Sequence, residues 1–220
     1  DANFETSITS LNQTSFTESS TNAATVTINR SGSTYRSAGI TAAGYLYPGA
    51  TNTFSASATN FLDFGSGDSF TFLAISRYWN AMATNRVLIA KTPSTGGPAW
   101  ALRKLTNELR NIISVSDGTN STGMLASPAL PAGTLESASG VMNRSTQTAS
   151  IYVNNNTVAV ANTSAIGSPS NIHPVRIGAY ADGAFFTDME FVAAAVFRSA
   201  LTAAQIRQIV NYFANREAVL

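Results

Sequence analysis

The stretch WALRKLTNELRNIISV (Trp100–Val115) reads in two ways. As a helix, it places Leu102, Leu105, Leu109 and Ile112 about three to four residues apart, on one face. As a hairpin, it gives a strand WALRKL, a turn at Thr106-Asn107 and a second strand ELRNIISV. The choice decides between a mixed and an all-β chain. Periodicity alone does not make it, and the neighbouring sequence favours two strands.

Working outward, that neighbourhood has period two. In SFTFLAISRYW (Ser69–Trp79), Phe70, Phe72 and Ala74 share one face, and Leu73 and Ile75 share the other. ASIYVNNNTVAVA (Ala149–Ala161) reads as a hairpin, with Ile151 and Val153 before an all-Asn turn at Asn154–Asn156 and Val158 and Val160 after it. Asn tolerates the left-handed backbone such turns need. TVTINR (Thr25–Arg30), RVLIAK (Arg86–Lys91), PVRIGAY (Pro174–Tyr180) and MEFVAAAVF (Met189–Phe197) supply further strands, punctuated by Gly and Pro. Many short strands predict an antiparallel β-sandwich or jelly roll.

One helix is expected, over about residues 203–215. Thr202 is its N-cap, and Gln205 completes a capping box. Ile206, Ile209, Val210 and Phe213 form its apolar stripe. A lone helix in such a chain is expected at the sandwich edge.

Composition narrows the function classes. The chain has 220 residues, no Cys, one His, 13 Lys plus Arg and 12 Asp plus Glu, for a net charge of +1. That near-neutral balance, with only two Lys among the cations, argues against nucleic-acid binding through a basic face. Cys nucleophiles, disulfides and Cys-based zinc sites are excluded outright. No apolar run approaches the roughly 18 residues of a membrane-crossing helix. Ser, Thr and Asn number 26, 26 and 19, about a third of the chain. Six Asn-x-Ser/Thr sites, beginning at Asn12, Asn29, Asn120, Asn143, Asn155 and Asn162, are close to what that composition gives by chance. Residues 1–24 read as an anchoring or flexible arm, too polar for a core of its own, with Phe4, Ile8, Leu11 and Phe16 as its apolar points. Residues 25–220 read as the sandwich domain.

The order of several motifs resembles the laminin-G-like, concanavalin A-like jelly rolls. Phe70-Thr71-Phe72, Leu88-Ile89-Ala90-Lys91, Ser150-Ile151-Tyr152-Val153-Asn154 and Val175-Arg176-Ile177-Gly178 look like successive strands of that family. So do Asp188-Met189-Glu190-Phe191, then Val196-Phe197-Arg198-Ser199-Ala200-Leu201 and Thr202-Ala203-Ala204-Gln205-Ile206. The similarity runs from about Tyr45 to Phe213. Gly133-Thr134-Leu135-Glu136-Ser137 stands where the family often has Gly-x-Trp-His. The resemblance implies an all-β jelly roll of the kind found on phage virions and bacterial surface proteins.

Site candidates follow from residue chemistry. Trp79, Trp100, Tyr180 and Phe185 are candidates for a sugar-stacking platform. Asp117, Asp182 and Asp188 are the candidate calcium ligands, and calcium is the one cofactor considered. Asp188 and Glu190 would share a strand face as a glycosidase pair, but the Glu-x-Asp-x-x-Glu pattern of glucanases with the same overall fold is absent. His173 has no partner for catalysis, and no Gly-x-Ser-x-Gly occurs. The expected role is non-enzymatic: a structural module on an assembled surface, such as a virion decoration, fibre or tail protein. It would be homo-oligomeric, with other assembly proteins as partners, at a virion or extracellular surface. The alternative is a lectin-like carbohydrate-binding module of the same fold.

Overall fold

A computed structural model describes residues 15–17, 25–29, 39–40, 46–47, 53–56, 62–78, 86–92, 96–105, 109–131, 133–154, 156–180 and 189–217, with side chains from 62 to 213 apart from Tyr78, Met189 and Glu190. Among them two antiparallel sheets face each other. One has the order β1 (Ser15–Thr17), β2 (Thr25–Asn29), β5 (Thr53–Ala56), β14 (Arg176–Ile177), β7 (Arg86–Lys91), β8 (Pro98–Leu105), β9 (Arg110–Asp117) and β10 (Leu125–Ala129). The other runs β13 (Asn156–Asn162), β12 (Thr148–Val153), β11 (Leu135–Asn143), β6 (Phe70–Tyr78), β15 (Met189–Phe197), β4 (Leu46–Tyr47) and β3 (Gly39–Ile40). This is the antiparallel jelly-roll sandwich expected of a concanavalin A-like chain, with one C-terminal helix, α1 (Ala203–Glu217).

The ambiguous stretch is two strands. β8 and β9 pair from Pro98↔Asp117 to Leu105↔Arg110, and Leu109 enters β9 from a left-handed conformation (φ 54°). Tertiary pairing therefore overrides the helical spacing of its leucines. The Asn turn forms as expected, with Asn154 at φ 46°. Its amide N–H donates to the Ser137 carbonyl, and its Oδ1 accepts from the Ser137 N–H.

The core lies between the sheets. Phe70, Phe72 and Ala74 of β6 meet Trp100 and Leu102 of β8 and Ile113 and Val115 of β9. Phe64 stacks on Phe70 with ring centroids 4.1 Å apart, and Phe72 stacks on Trp100 at 5.1 Å. Gly140 of β11 faces the same core. A Cβ there would overlap the Phe72 ring and meet Ile113 Cγ2 at 3.0 Å, so the missing side chain is what admits the ring.

Leu73 and Ile75 point to the outer face of β6, as their alternation predicts. There they join Ala193 and Ala195 of β15 and Phe213 of α1, with Ile209 and Val210 beside them. The helix thus covers the middle of the seven-stranded sheet and not the edge of the sandwich. The reason is visible in β6 and β15: both faces are apolar, so the outer one needs a cover. Burying Ile206 and Phe213 contributes about 1.5–3 kcal/mol each. The capping box forms: Gln205 N–H donates to Thr202 Oγ1 at 3.3 Å, and Thr202 N–H donates to Gln205 Oε1 at 2.9 Å.

Bulges shift the phase of several strands, including β7, where the register against β8 slips between Val87 and Ile89. In β15 the register slips between Phe191 and Ala193. Phe191 and Ala194 therefore face the inner core while Ala193 and Ala195 face the helix. In β13 the slip opposite Ile151 and Tyr152 turns Val158 toward the core and leaves Val160 exposed. The two valines thus do not share a face as simple alternation would have it. A further slip, with Pro128, interrupts β10. β10 and β13, each at the edge of its sheet, pack against each other.

At one end of the sandwich the inner rows turn polar. Lys104 and Asn111 are cross-strand partners in one sheet, and Glu136 and Ser76 in the other. Lys104 Nζ lies 2.8 Å from both Glu136 oxygens and ties the sheets together. The two side chains are only 1% and 2% exposed. The Asn111 amide and the Ser76 hydroxyl are buried beside this pair without hydrogen-bond partners.

Candidate functional site

The opposite end carries a cleft of about 690 Å³, where strands β6, β11, β12 and β13 begin or end. Three loop segments build it: Ser66–Ser69 before β6, Arg144–Gln147 between β11 and β12, and Thr163–Gly167 after β13. Hairpin geometry brings them together. Asn143 pairs with Thr148 and Thr148 with Asn162, so both turns emerge side by side. Asn at the turn starts explains the local folding. Asn143 Oδ1 accepts from the Ser145 N–H and hydroxyl, and Asn162 Oδ1 does the same for Ser164. These are Asx turns, the ordinary use of Asn before Ser.

The cleft is held by a fixed network. Arg144 N–H donates to Ser69 Oγ at 3.0 Å. Its Nη1 and Nη2 donate to the Ile166 and Gly167 carbonyls, each at 2.6 Å. The Gly167 N–H in turn donates to Asp117 Oδ2 at 2.6 Å, an approach that a side chain on Gly167 would crowd. Asp117 Oδ1 accepts from the Thr119 and Asn120 N–H groups. The amides of Asn120, Gly167 and Thr119 hold the Asp117 carboxyl well below the usual carboxylate range. Burial pushes the Arg144 guanidinium down from its usual pKa, opposed by the charges of Asp117 and Asp68. Asp68 pairs with Arg198 at 3.1 Å, and that guanidinium lies over the Phe64 ring, 5.3 Å from its centroid.

Among the described residues the lining combines polar side chains (Ser66, Ser69, Ser145, Gln147, Thr163 and Ser164) with backbone and the apolar Ala165 and Ile166, and Arg144 is its one charged residue. The Thr163 hydroxyl is buried beneath it without a partner. Such a surface hydrogen-bonds polar ligands. It offers neither a nucleophile–base pair nor paired carboxylates.

The residues singled out in the sequence fall elsewhere. Trp100 is fully buried in the inner core, and Tyr180 is buried against Val87, Ala90 and Ala101. Neither presents a ring to solvent, because each fills space against a central strand of the eight-stranded sheet. Trp79 and Phe185 lie outside the described residues. Asp117 sits at the end of β9 with both oxygens taken by N–H donors, so it is an anchor for the 163–167 loop and not an open cation ligand. Asp182 and Asp188 lie outside the described residues, and so does the Glu190 side chain. Among the described residues no three Asp, Glu or His side chains converge to hold a metal ion. His173 belongs to a loop: its carbonyl accepts from Lys91 Nζ at 2.6 Å. Of the arm, Phe16 falls in strand β1, paired opposite Val26, while Phe4, Ile8 and Leu11 lie outside the described residues. The cleft was missed because its serines and threonines are indistinguishable in sequence from the many others. The signal that marks it is Asn-x-Ser at two hairpin ends.

No family model matches the sequence, and no curated protein is similar to it in sequence. Solved structures are similar in fold. The binding domain of botulinum neurotoxin DC, in complex with SialylT, superposes with a TM-score of 0.67 at 10% identity over 93% of this chain and 52% of that one. The binding domain of Paraclostridial Mosquitocidal Protein 1 gives 0.64 at 11% identity over 95% and 51%. This chain thus spans about half the length of those toxin domains. The CBM40 domain of the Ruminococcus gnavus IT-sialidase, bound to α2,3-sialyllactose, gives 0.55 at 13% identity over 67% and 91%. These likenesses show a shared β-sandwich fold.

Proposed function

We propose that this chain is a non-enzymatic, lectin-like module that binds glycans in the cleft beside Arg144. The observation that carries the reading is the lining itself: five neutral hydrogen-bonding side chains on a rigid frame, and no catalytic pair among the described residues there. Sugar recognition needs such convergent polar groups. The neighbours support it, since they are binding domains and two were solved with sialylated ligands. They favour this reading over the virion decoration, fibre or tail role that composition suggested. The proposed setting is a surface that meets glycans, outside the cell or on a particle.

A glycan array tests this with the intact chain and with Gly67→Leu. Gly67 is exposed at the cleft, with no neighbour near the place of a Cβ. A leucine there adds apolar bulk at the cleft without strain. The expected result is retention of at least one glycan class and its loss in the variant. Retention of none, or binding that ignores Gly67→Leu, overturns the proposal.

A further inference from the structure

We infer that the ligand class of this cleft is a neutral saccharide, not a sialylated, uronate or sulfated one. The inference rests on the proposed glycan-binding role and narrows it.

Arg144 is the group an acidic sugar would seek, because a guanidinium grips a carboxylate through two parallel N–H bonds. Both edges suited to that grip are closed. Along one, Nη1 and Nη2 already donate to the Ile166 and Gly167 carbonyls. Along the other, Nε is buried. Opening the Nη1–Nη2 edge would release the 166–167 backbone that shapes the cleft.

The local charge is also balanced. Arg144 feels Asp117 and Asp68, and Asp68 is paired with Arg198. Two cations face two anions, which leaves no net field to draw an anion in.

The hydroxyls point the same way. Ser145 and Ser164 give their protons inward, to Asn143 Oδ1 at 2.8 Å and Asn162 Oδ1 at 2.7 Å. Toward the cleft they present lone pairs. Lone pairs accept from sugar hydroxyls and repel carboxylate or sulfate oxygens. Gln147 adds an uncharged donor and acceptor, and Ser69 Oγ, which accepts from the Arg144 N–H, keeps its proton to give.

The test uses calorimetry on matched glycans. A neutral oligosaccharide retained on the array, such as lactose or N-acetyllactosamine, is compared with its α2,3-sialylated form. The neutral form is expected to bind at least about tenfold tighter, a difference set by one unfavourable charged contact. Its affinity should change less than about twofold between about 50 and 500 mM NaCl, as an uncharged contact is not screened. Equal affinities, or a tighter sialylated form with strong salt dependence, overturn the inference while leaving the glycan-binding role standing. Silence of the whole array removes that role itself. A second variant, Ala165→Lys, places a free cation at the exposed rim of the cleft and should raise binding of the sialylated form. A sialylated form that gains nothing there would show that charge does not govern this site.

Discussion

Replacing Lys104 with Met is expected to cost about 3–5 kcal/mol of folding stability, because it strands the Glu136 carboxylate in the core. The estimate starts from geometry. Both Glu136 oxygens lie 2.8 Å from Lys104 Nζ, and the side chains are 1% and 2% exposed. Water cannot replace the lost partner. The Glu136→Leu change should also destabilise, since it takes the carboxylate away from a buried ammonium. The double variant removes both charges and leaves two apolar chains facing across the sandwich. Such replacements are often neutral, so the coupling energy of the cycle should be about 3 kcal/mol or more. Urea unfolding followed by far-UV circular dichroism reads it. With a slope of about 2 kcal/mol/M, the Lys104→Met variant should lower the midpoint by about 1.5–2.5 M and the double variant by little. A single-variant loss below about 1 kcal/mol would show that the pair is hydrated and not buried, on the scale of surface pairs. Additive losses in the double variant would show that the partners act separately.

Two further predictions follow from particular contacts. Gly140→Ala should destabilise the fold by about 1–3 kcal/mol in the same assay, because the new methyl group overlaps the Phe72 ring; an unchanged midpoint would mean that the ring has room to move. Asp117 has a folded-state pKa below its ordinary value of 3.8, so its contribution is complete above pH 3.8 and is lost as pH falls through the lower folded value. The melting temperature of Asp117→Asn should therefore lie below the wild-type value at pH 7 and converge with it in acid, and a constant gap across that range would refute the assignment.

What was legible in the sequence was what depends on neighbours along the chain. The Asn turn and the Thr202–Gln205 box are local, and both form at the expected residues. The alternation in β6 sorted Phe70 and Phe72 from Leu73 and Ile75 without error. Bulges were not legible, because nothing in the letters of β15 marks where a residue is skipped. The place of α1 was missed for a related reason: Leu73 and Ile75 announce an apolar outer face, but Ala193 and Ala195 join them only through the bulge. The aromatic platform failed at Trp100 because ring chemistry does not reveal depth. The cleft depends on three segments that are far apart in the chain, at residues 66–69, 144–147 and 163–167, and only sheet pairing unites them.

The interrupted strand β10 bears on how this chain behaves when concentrated. With a net charge of +1, copies have almost no mutual repulsion to keep them apart. Resistance to clumping must then come from shape. Pro128 lacks the amide proton that an added strand would need, and the slip beside it spoils the ladder. Because β13 packs alongside, the two sheets shield each other's border on that flank. A solution of this protein should therefore tolerate crowding at its isoelectric point better than its charge alone would allow.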